Sequence, residues 1–225
     1  MHKFYVVGTP IGNMEDITYR AVRILGEVDL ILCEDTRVTA NLLHKYNIKK
    51  PTISYHSQSK LSKTDIILRM ITEGKTLALV SDAGTPTISD PGSMLVSKIR
   101  ERFSDVEIIA IPGPSALTSA LSISGLPGSE FIFLGFLPHK KGRETLFKEI
   151  AASERTVVFY ESPHRIIKSL ASLKKYVGER KIVIAREISK IYEQIISGTP
   201  FEVENYFSEN TDKIRGEFVV MVSAQ

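Results

Sequence analysis

The sequence of 225 residues has no tryptophan, a single cysteine and no apolar run close to the ~20 residues that would cross a bilayer. One cysteine excludes an internal disulfide. Cys33 stands in the apolar run Leu30–Cys33, which predicts a small buried side chain rather than a nucleophile. The first residues, Met1–Tyr5, lead directly into a predicted strand without the pattern of a signal peptide. These absences predict a cytoplasmic protein.

Several motifs of known chemistry are missing as well. The chain has neither the Gly-x-Gly-x-x-Gly fingerprint of dinucleotide sites nor a Walker loop, and it has no Gly-x-Ser-x-Gly elbow for a serine nucleophile. Its five histidines are scattered, with no His-x-x-x-His or Cys-x-x-Cys spacing, so we predict no structural zinc. The composition, 43% hydrophobic and 24% charged, is that of an ordinary soluble globular protein.

What the chain does contain is an alternation of predicted strands and helices through its first half. Short connections between them favour an α/β fold with a mainly parallel sheet and helices on both faces. The alternation of strands and helices is interrupted at Ser124–Gly128, which we interpret as a linker. We therefore predict two α/β domains, 1–123 and 124–225. In the second domain the predicted strands Tyr192–Ser197 and Glu217–Val222 follow each other with little helix between them, which favours a mixed sheet.

Loops with Gly, Pro and acidic residues follow several of the predicted strands. The strand from Leu77 ends in a loop, Ser81–Gly92, before a predicted helix. Loops at the carboxyl ends of strands line the ligand crevice of open α/β sheets, so Asp82 and the backbone of Ala83–Thr85 are site candidates, although an ordinary turn has the same composition. Pro10 lacks a backbone donor in the first such loop, which favours a ligand less charged than a pyrophosphate.

Two polar residues are predicted to lie at helix starts. Asp16 is predicted to cap the first helix, and Ser115 can cap the helix that begins beside it.

Two further loops, Glu34–Arg37 and Glu161–Arg165, place acids beside a guanidinium at a strand end. Each could instead be a helix start stabilised by acids. Together with the glycine and proline loops, they favour a cleft enzyme over a binding module.

Charge is distributed unevenly along the chain. The segment from Phe136 to Lys190 carries thirteen Lys or Arg against six Asp or Glu, a net charge of +7, whereas the whole chain is only +3. Such a segment fits a polyanionic partner such as RNA, and it also fits a solvated helix face.

These motifs, taken in order, resemble the tetrapyrrole methylase family of S-adenosylmethionine-dependent methyltransferases. Within that family the acid-plus-arginine motifs resemble the branch that methylates the ribose 2′-hydroxyl of a cytidine in small-subunit ribosomal RNA. The stretches that carry the resemblance span nearly the whole chain: Gly8–Asn13, Glu34–Arg37, Val80–Pro86, Ile111–Ala116, Phe136–Pro138, Phe159–Arg165 and Ala185–Glu187.

The resemblance implies two α/β domains with the cofactor, S-adenosylmethionine, in the cleft between them, a homodimer, and ribosomal RNA or the small ribosomal subunit as the partner. It implies a cofactor pocket formed by eight residues: Pro10, Asp82, Ala83, Gly84, Thr85, Ser115, Ala116 and Tyr160. A ribose hydroxyl is a weak nucleophile, so we expect a base or proton relay among the acids Glu34, Asp35, Glu161 and Glu187. Arginine suits flanking phosphates, so we expect the substrate to contact Arg37, His164 and Arg165.

Three other functions stay open on the residues alone. A methyltransferase acting on a small tetrapyrrole-like molecule would share the fold, although the basic segment favours an anionic polymer. A nucleotide- or sugar-phosphate-binding enzyme would need phosphate loops that Pro10 and Pro86 disfavour. A non-catalytic RNA-binding protein would bind RNA without transferring a methyl group.

Overall fold

A computed structural model describes residues 2–56 and 61–225 and divides the chain into two compact units, Met1–Ser115 and Ala116–Gln225. The boundary predicted after residue 123 lies one helix further along the chain and stays a prediction. No helix among the described residues is both long and apolar enough to cross a membrane.

The first unit contains a fully parallel sheet. Its strands are β1 (His2–Val7), β2 (Leu30–Cys33), β3 (Thr52–Ser54), β4 (Leu77–Leu79) and β5 (Val106–Ile111), in the spatial order β3-β2-β4-β1-β5. The helices between them are α1 (Tyr19–Glu27), α2 (Thr36–Lys45), α3 (Leu61–Thr72) and α4 (Ser93–Arg102). The predicted parallel sheet is confirmed.

Hydrophobic clusters cover both faces of this sheet. Alternation along β1 sends Tyr5 to a cluster with α1 and α2, and Phe4 to a cluster with α3 and α4. The predicted placement of helices on both faces is therefore confirmed. Cys33 is buried in the first of these clusters, as the sequence predicts, and burial raises the pKa of its thiol.

The start of the first helix differs from the prediction at Asp16. Helix α1 begins at Tyr19, and the side chain of Thr18 caps it by accepting a hydrogen bond from the backbone N–H of Ala21. Asp16 instead ends a short 3-10 turn that Asn13 caps. The prediction of Asp16 as N-cap is wrong because the extended backbone of Ile17 separates that turn from the helix.

The second unit contains a mixed sheet, as predicted. Its strands are β6 (Phe131–Phe136), β7 (Thr156–Glu161), β8 (Ile182–Arg186), β9 (Gln194–Gly198) and β10 (Phe218–Val222), in the order β6-β7-β10-β8-β9. Only β6 and β7 among these pair in parallel, and the other described pairs are antiparallel. The helices are α5 (Ala116–Ile123), α6 (Arg143–Ala151), α7 (Ile166–Val177) and α8 (Pro200–Glu209).

The loops after β1, β4 and β5 meet at the carboxyl edge of the first sheet. Thr9 and Gly84 exchange two backbone hydrogen bonds of 2.9 and 3.1 Å, and the Thr9 hydroxyl donates to the Ser81 carbonyl at 3.2 Å. On the other side, Gly8 lies against Gly113 so closely that a Cβ on Gly8 would be 2.8 Å from the Gly113 Cα. Three loops from distant parts of the sequence thus form one surface.

Replacing Gly8 with alanine should disrupt this surface. The added methyl meets backbone rather than a flexible side chain, so we expect Gly8→Ala to lower the free energy of unfolding by about 1–3 kcal/mol, as overpacking does. Urea unfolding followed by circular dichroism measures the change. Gly26→Ala is the matched control, because nothing lies within 4 Å of its added Cβ and a helical alanine should stabilise by ~0.5–1 kcal/mol. Equal stability of the two variants would contradict the contact.

Candidate functional site

Asp82 connects the loop after β4 to the loop after β2. Its Oδ1 accepts a hydrogen bond of 3.0 Å from the backbone N–H of Asp35, while the residue itself is exposed at the carboxyl edge of the sheet. Gly84 is buried in a left-handed conformation (φ 80°), which any other residue adopts with difficulty, and Thr85 is half-buried beside it. The structure therefore brings together the predicted cofactor residues of this loop and the acidic loop after β2.

A cavity of about 450 Å³ opens at the same edge. Its polar lining includes Glu34, His56, Ser89 and Asp90, and its apolar lining includes Met94. Of the four acids predicted for catalysis, Glu34 is the one that lines this cavity. Asp90 is not among the residues predicted from the sequence. Its position after Asp82 in the same Gly- and Pro-rich loop is the feature that could have indicated a site residue.

The two carboxyl groups of the cavity hold their protons more tightly than isolated acids. Burial raises the pKa of Glu34, the charges of Asp82 and Asp35 raise it further, and His56 opposes them. Burial also raises the pKa of Asp90 to about 6; a hydrogen bond with Ser81 opposes this shift, and the charges of Glu34 and Asp82 add smaller increases. An unfavourable concentration of negative charge is thus built into the cavity.

The loop that carries Asp90 is held in unusual backbone conformations. Thr87 and Ser89 have φ values of 74° and 62°, in the left-handed region that non-glycine residues rarely adopt. Gly92 (φ 123°) packs so tightly that a Cβ there would lie 2.6 Å from the Leu79 side chain. Such conformations persist where the surrounding structure imposes them, and they cluster at ligand sites.

The raised pKa of Asp90 predicts how stability depends on pH. The pKa of Asp90 is about 6 in the folded state against a usual value of 3.8. The free energy of unfolding therefore falls as pH rises from 3.8 to about 6, and below pH 3.8 Asp90 has no effect on it. We expect Asp90→Asn to melt at a higher temperature than the parent protein at pH 7.5, and the difference to vanish below pH 4. Thermal melts across this range measure it. A variant less stable at every pH would contradict the prediction.

Asp35 is engaged at the start of helix α2. Its carboxylate caps the helix by accepting from the backbone N–H of Arg37 at 2.8 Å, and it also pairs with the Arg37 guanidinium at 2.6 Å. These contacts with Arg37 lower the pKa of Asp35 to about 2. The Arg37 side chain is 89% exposed, so it remains accessible to a phosphate. Asp35 therefore has the role that the sequence left open for this motif, that of an acid at the start of a helix.

Glu161 occupies a buried charge cluster at the end of β7. Its side chain is fully buried and forms an ion pair with Arg165 Nε at 2.9 Å. It also accepts hydrogen bonds from Arg143 at 3.3 Å and from the Ser169 hydroxyl at 2.5 Å. Both arginine side chains are only 15% exposed. They are held in place by this carboxylate and leave little room for a phosphate.

The same arginines fix the loop after β6. Arg165 donates to the Leu137 carbonyl at 2.5 Å, and Arg143 donates to the Pro138 carbonyl at 3.1 Å. The residues that follow Pro138 in this loop, His139–Lys141, are exposed. Glu161 and its arginines therefore position a basic loop on the surface.

Glu187 is committed to a loop closure after β8. It has a left-handed backbone (φ 54°), and its Oε1 accepts from Lys190 Nζ and from the Glu217 N–H, both at 2.9 Å. Burial opposes ionisation, but the contacts with Lys190 and Glu217 outweigh it and lower the pKa of Glu187. A group of this kind is a weak base.

The other predicted residues fall in several environments. Pro10 is half-buried next to Thr9, and Ser115 immediately precedes Ala116 at the start of α5. The Tyr160 ring packs against Phe133 with centroids 4.9 Å apart, and His164 is exposed.

Comparison with known proteins identifies the group to which these features belong. A family model described as "Tetrapyrrole (Corrin/Porphyrin) Methylases" matches residues 3–204. A Thermotoga maritima protein named "Ribosomal RNA small subunit methyltransferase I" is 47% identical over 225 residues, covering 100% of both chains. A Vibrio cholerae protein of the same name is 45% identical, covering 97% of this chain and 76% of its own.

Solved structures show the same fold at lower identity. The crystal structure of the methyltransferase CobJ aligns with a TM-score of 0.71 and 20% identity, covering 100% of this chain and 95% of that one. A uroporphyrin-III C-methyltransferase from Thermus thermophilus, solved in complex with S-adenosylhomocysteine, aligns with a TM-score of 0.65 and 19% identity, covering 99% and 97%.

Proposed function

The chain belongs to the tetrapyrrole methylase family, and we propose that it transfers a methyl group from S-adenosylmethionine to the ribose 2′-hydroxyl of a cytidine in small-subunit ribosomal RNA. The single observation that carries this proposal is the full-length identity of 47% to a relative named for that class of reaction. The two-unit fold, the Asp82 loop and the acidic cavity support it.

The first unit offers features that fit the methyl donor. Gly8 and Gly113 approach each other with no space for a side chain, and Thr9 bonds to the Gly84 backbone beside them; such surfaces suit close backbone contact with a ligand. Prolines 10, 112 and 114 remove donors that a phosphate would need, whereas the exposed Asp82 carboxylate can accept from ammonium or ribose hydroxyl groups. We assign the donor to Pro10, Asp82–Thr85 and Ser115, and the roles that the resemblance implies for Ala116 and Tyr160 stay predictions.

The donor supplies an electrophilic methyl group on a sulfonium. The protein has to orient the ribose hydroxyl and remove its proton. We propose that the Glu34 carboxylate accepts this proton. Glu34 lines an open cavity and has a raised pKa, whereas Asp35, Glu161 and Glu187 are engaged in caps or ion pairs. A carboxylate whose pKa lies closer to neutrality is a better proton acceptor.

The RNA backbone requires exposed cations. Arg37 at the start of α2 and Lys140–Lys141 in the basic loop meet this requirement. Arg165 contributes by positioning that loop through its bond to the Leu137 carbonyl, and the exposed His164 stays a candidate contact. Loss of such phosphate contacts weakens binding and reduces its salt dependence.

We also propose a homodimer that acts in the cytoplasm, as the resemblance implies. The numerous exposed hydrophobic side chains, Ile191 at 96% and Tyr192 at 72% among them, support association of copies. Sedimentation of the purified protein at micromolar concentration measures its mass, and a monomer would contradict this part of the proposal.

Incubation with methyl-labelled S-adenosylmethionine tests the reaction. We expect label in the ribosomal RNA of small-subunit particles that lack the modification, located at a 2′-O-methylcytidine after nuclease digestion, with activity that falls as salt rises. Label in a small tetrapyrrole at a rate insensitive to salt would favour the small-molecule methyltransferase. RNA binding without transfer of label would favour the non-catalytic alternative.

A further inference from the structure

Exposed residues mark the mouth of the cavity beside Glu34. Leu61 and Met94 line it and are 67% and 58% exposed, and Ser89 is exposed as well. Tyr55 and Thr64 of the lining are buried, and the partly buried Glu34 and Asp90 contribute carboxyl groups. Its volume of about 450 Å³ lies within the ~300–1,000 Å³ typical of small-molecule sites.

The charge of the interior limits what can enter. A phosphate or carboxylate would meet the carboxyl groups of Glu34 and Asp90, which repel it, and His56 is the basic side chain that the lining sets against them. No group of three or more metal-ligating side chains suited to an ion occurs among residues 2–56 and 61–225. The favoured occupant is a flat, neutral ring with hydrogen-bond donors on one edge, since its faces can pack against Leu61 and Met94.

We propose that this cavity takes the nucleobase of the target nucleotide, turned out of the RNA, and that its exocyclic amino group donates a hydrogen bond to the carboxylate of Asp90. The inference rests on the proposed function, which supplies the RNA. Enzymes that modify a nucleotide commonly hold it in such a pocket, reading its edge and packing its faces between apolar side chains.

This arrangement selects cytosine over uracil. The N4 amino group of cytosine donates to a carboxylate, whereas uracil places the O4 acceptor in the same position and leaves the buried acid unpaired. An asparagine amide can turn its N–H₂ toward O4. Asp90→Asn should therefore lose activity on cytidine and gain it on uridine, relative to the parent protein.

The competing occupant is the ammonium group of the methyl donor, which an acidic cavity would also attract. The affinity for S-adenosylmethionine distinguishes the two occupants, because replacing a residue that contacts only the nucleobase should leave that affinity unchanged. Met94→Asp provides a second variant. Its side chain is exposed, so folding should persist, but the added charge at the mouth should exclude the base.

The experiment compares the parent protein, Asp90→Asn, Met94→Asp and the control Asp105→Asn, whose acid is exposed in the turn before β5. Each is assayed with labelled donor on small-subunit particles carrying cytidine or uridine at the target position, and S-adenosylmethionine affinity is measured by calorimetry. We expect Asp90→Asn to lower kcat/KM for cytidine by about ten- to a hundredfold and to narrow or reverse the preference over uridine. Met94→Asp should raise KM for RNA, with donor affinity within twofold of the parent in every variant.

Three results would overturn the inference. Unchanged cytidine preference in Asp90→Asn would exclude the base contact. A tenfold loss of donor affinity in Asp90→Asn would assign the cavity to the ammonium group instead. A parent protein that transfers no label to RNA would refute the proposed function, and this inference with it, whereas the first two results leave that function intact.

Discussion

Glu34→Gln is expected to reduce methyl transfer to RNA by about 10²–10⁴-fold, the usual contribution of a positioned general base. Glutamine keeps the shape of the side chain but cannot take a proton from the ribose hydroxyl. The loss should appear in the rate constant for methyl transfer under single-turnover conditions, whereas the affinity for S-adenosylmethionine measured by calorimetry should be unchanged. Glu34 is singled out because it alone among the four predicted acids lines the cavity and has a pKa raised by burial and by neighbouring acids.

The matched control is Glu101→Gln, a neutralisation on the exposed side of α4 that should leave activity unchanged. Asp35→Asn is the informative comparison, because asparagine is also a good N-cap and preserves the start of α2. If Asp35→Asn abolished transfer while Glu34→Gln did not, the base would be Asp35 and the present assignment would be refuted.

Glu161→Gln is expected to lower the free energy of unfolding by about 3 kcal/mol, because removing one partner of a buried ion pair leaves the other charges uncompensated. The side chain is fully buried, and two arginines that are only 15% exposed depend on it. Since the chain has no tryptophan, urea unfolding is best followed by circular dichroism.

Glu130→Gln is the control for this prediction. Glu130 forms an ion pair with Arg155 at 2.7 Å, but the two side chains are 70% and 56% exposed, so its loss should cost no more than about 1 kcal/mol. Glu161→Gln should also weaken RNA binding through the loop that Arg143 and Arg165 hold. Normal stability with abolished methyl transfer would contradict the structural role and restore Glu161 as a candidate base.

Local sequence patterns were sufficient for the two sheets. Alternating apolar strands and helical stripes predicted the parallel sheet of the first unit, and the closely spaced strands near residues 192–222 predicted the mixed sheet of the second. They failed at the first helix, where Asp16 is the predicted cap and Thr18 the observed one, although aspartate is the more common N-cap by type. Only the extended backbone of Ile17 decided for Thr18.

The candidate site was predictable as a set of loops and not as a set of roles. Asp35, Glu161 and Glu187 have the same chemistry as Glu34 in the sequence, and their partners are set by folding. Two of the three side chains that contact Glu161, those of Arg143 and Ser169, lie outside the motif Glu161–Arg165. The environment of Asp90 could not be predicted in the same way, because its neighbour Glu34 comes from a distant part of the chain.

The sequence by itself determined the secondary structure, the class of fold and the family, because these depend on local periodicity and on motifs that survive as strings of residues. The tertiary structure decided which carboxylate lines a cavity, which caps a helix and which is buried under arginines. Burial and charge around a side chain are sums over neighbours that are distant in sequence, and only the folded chain brings those neighbours together.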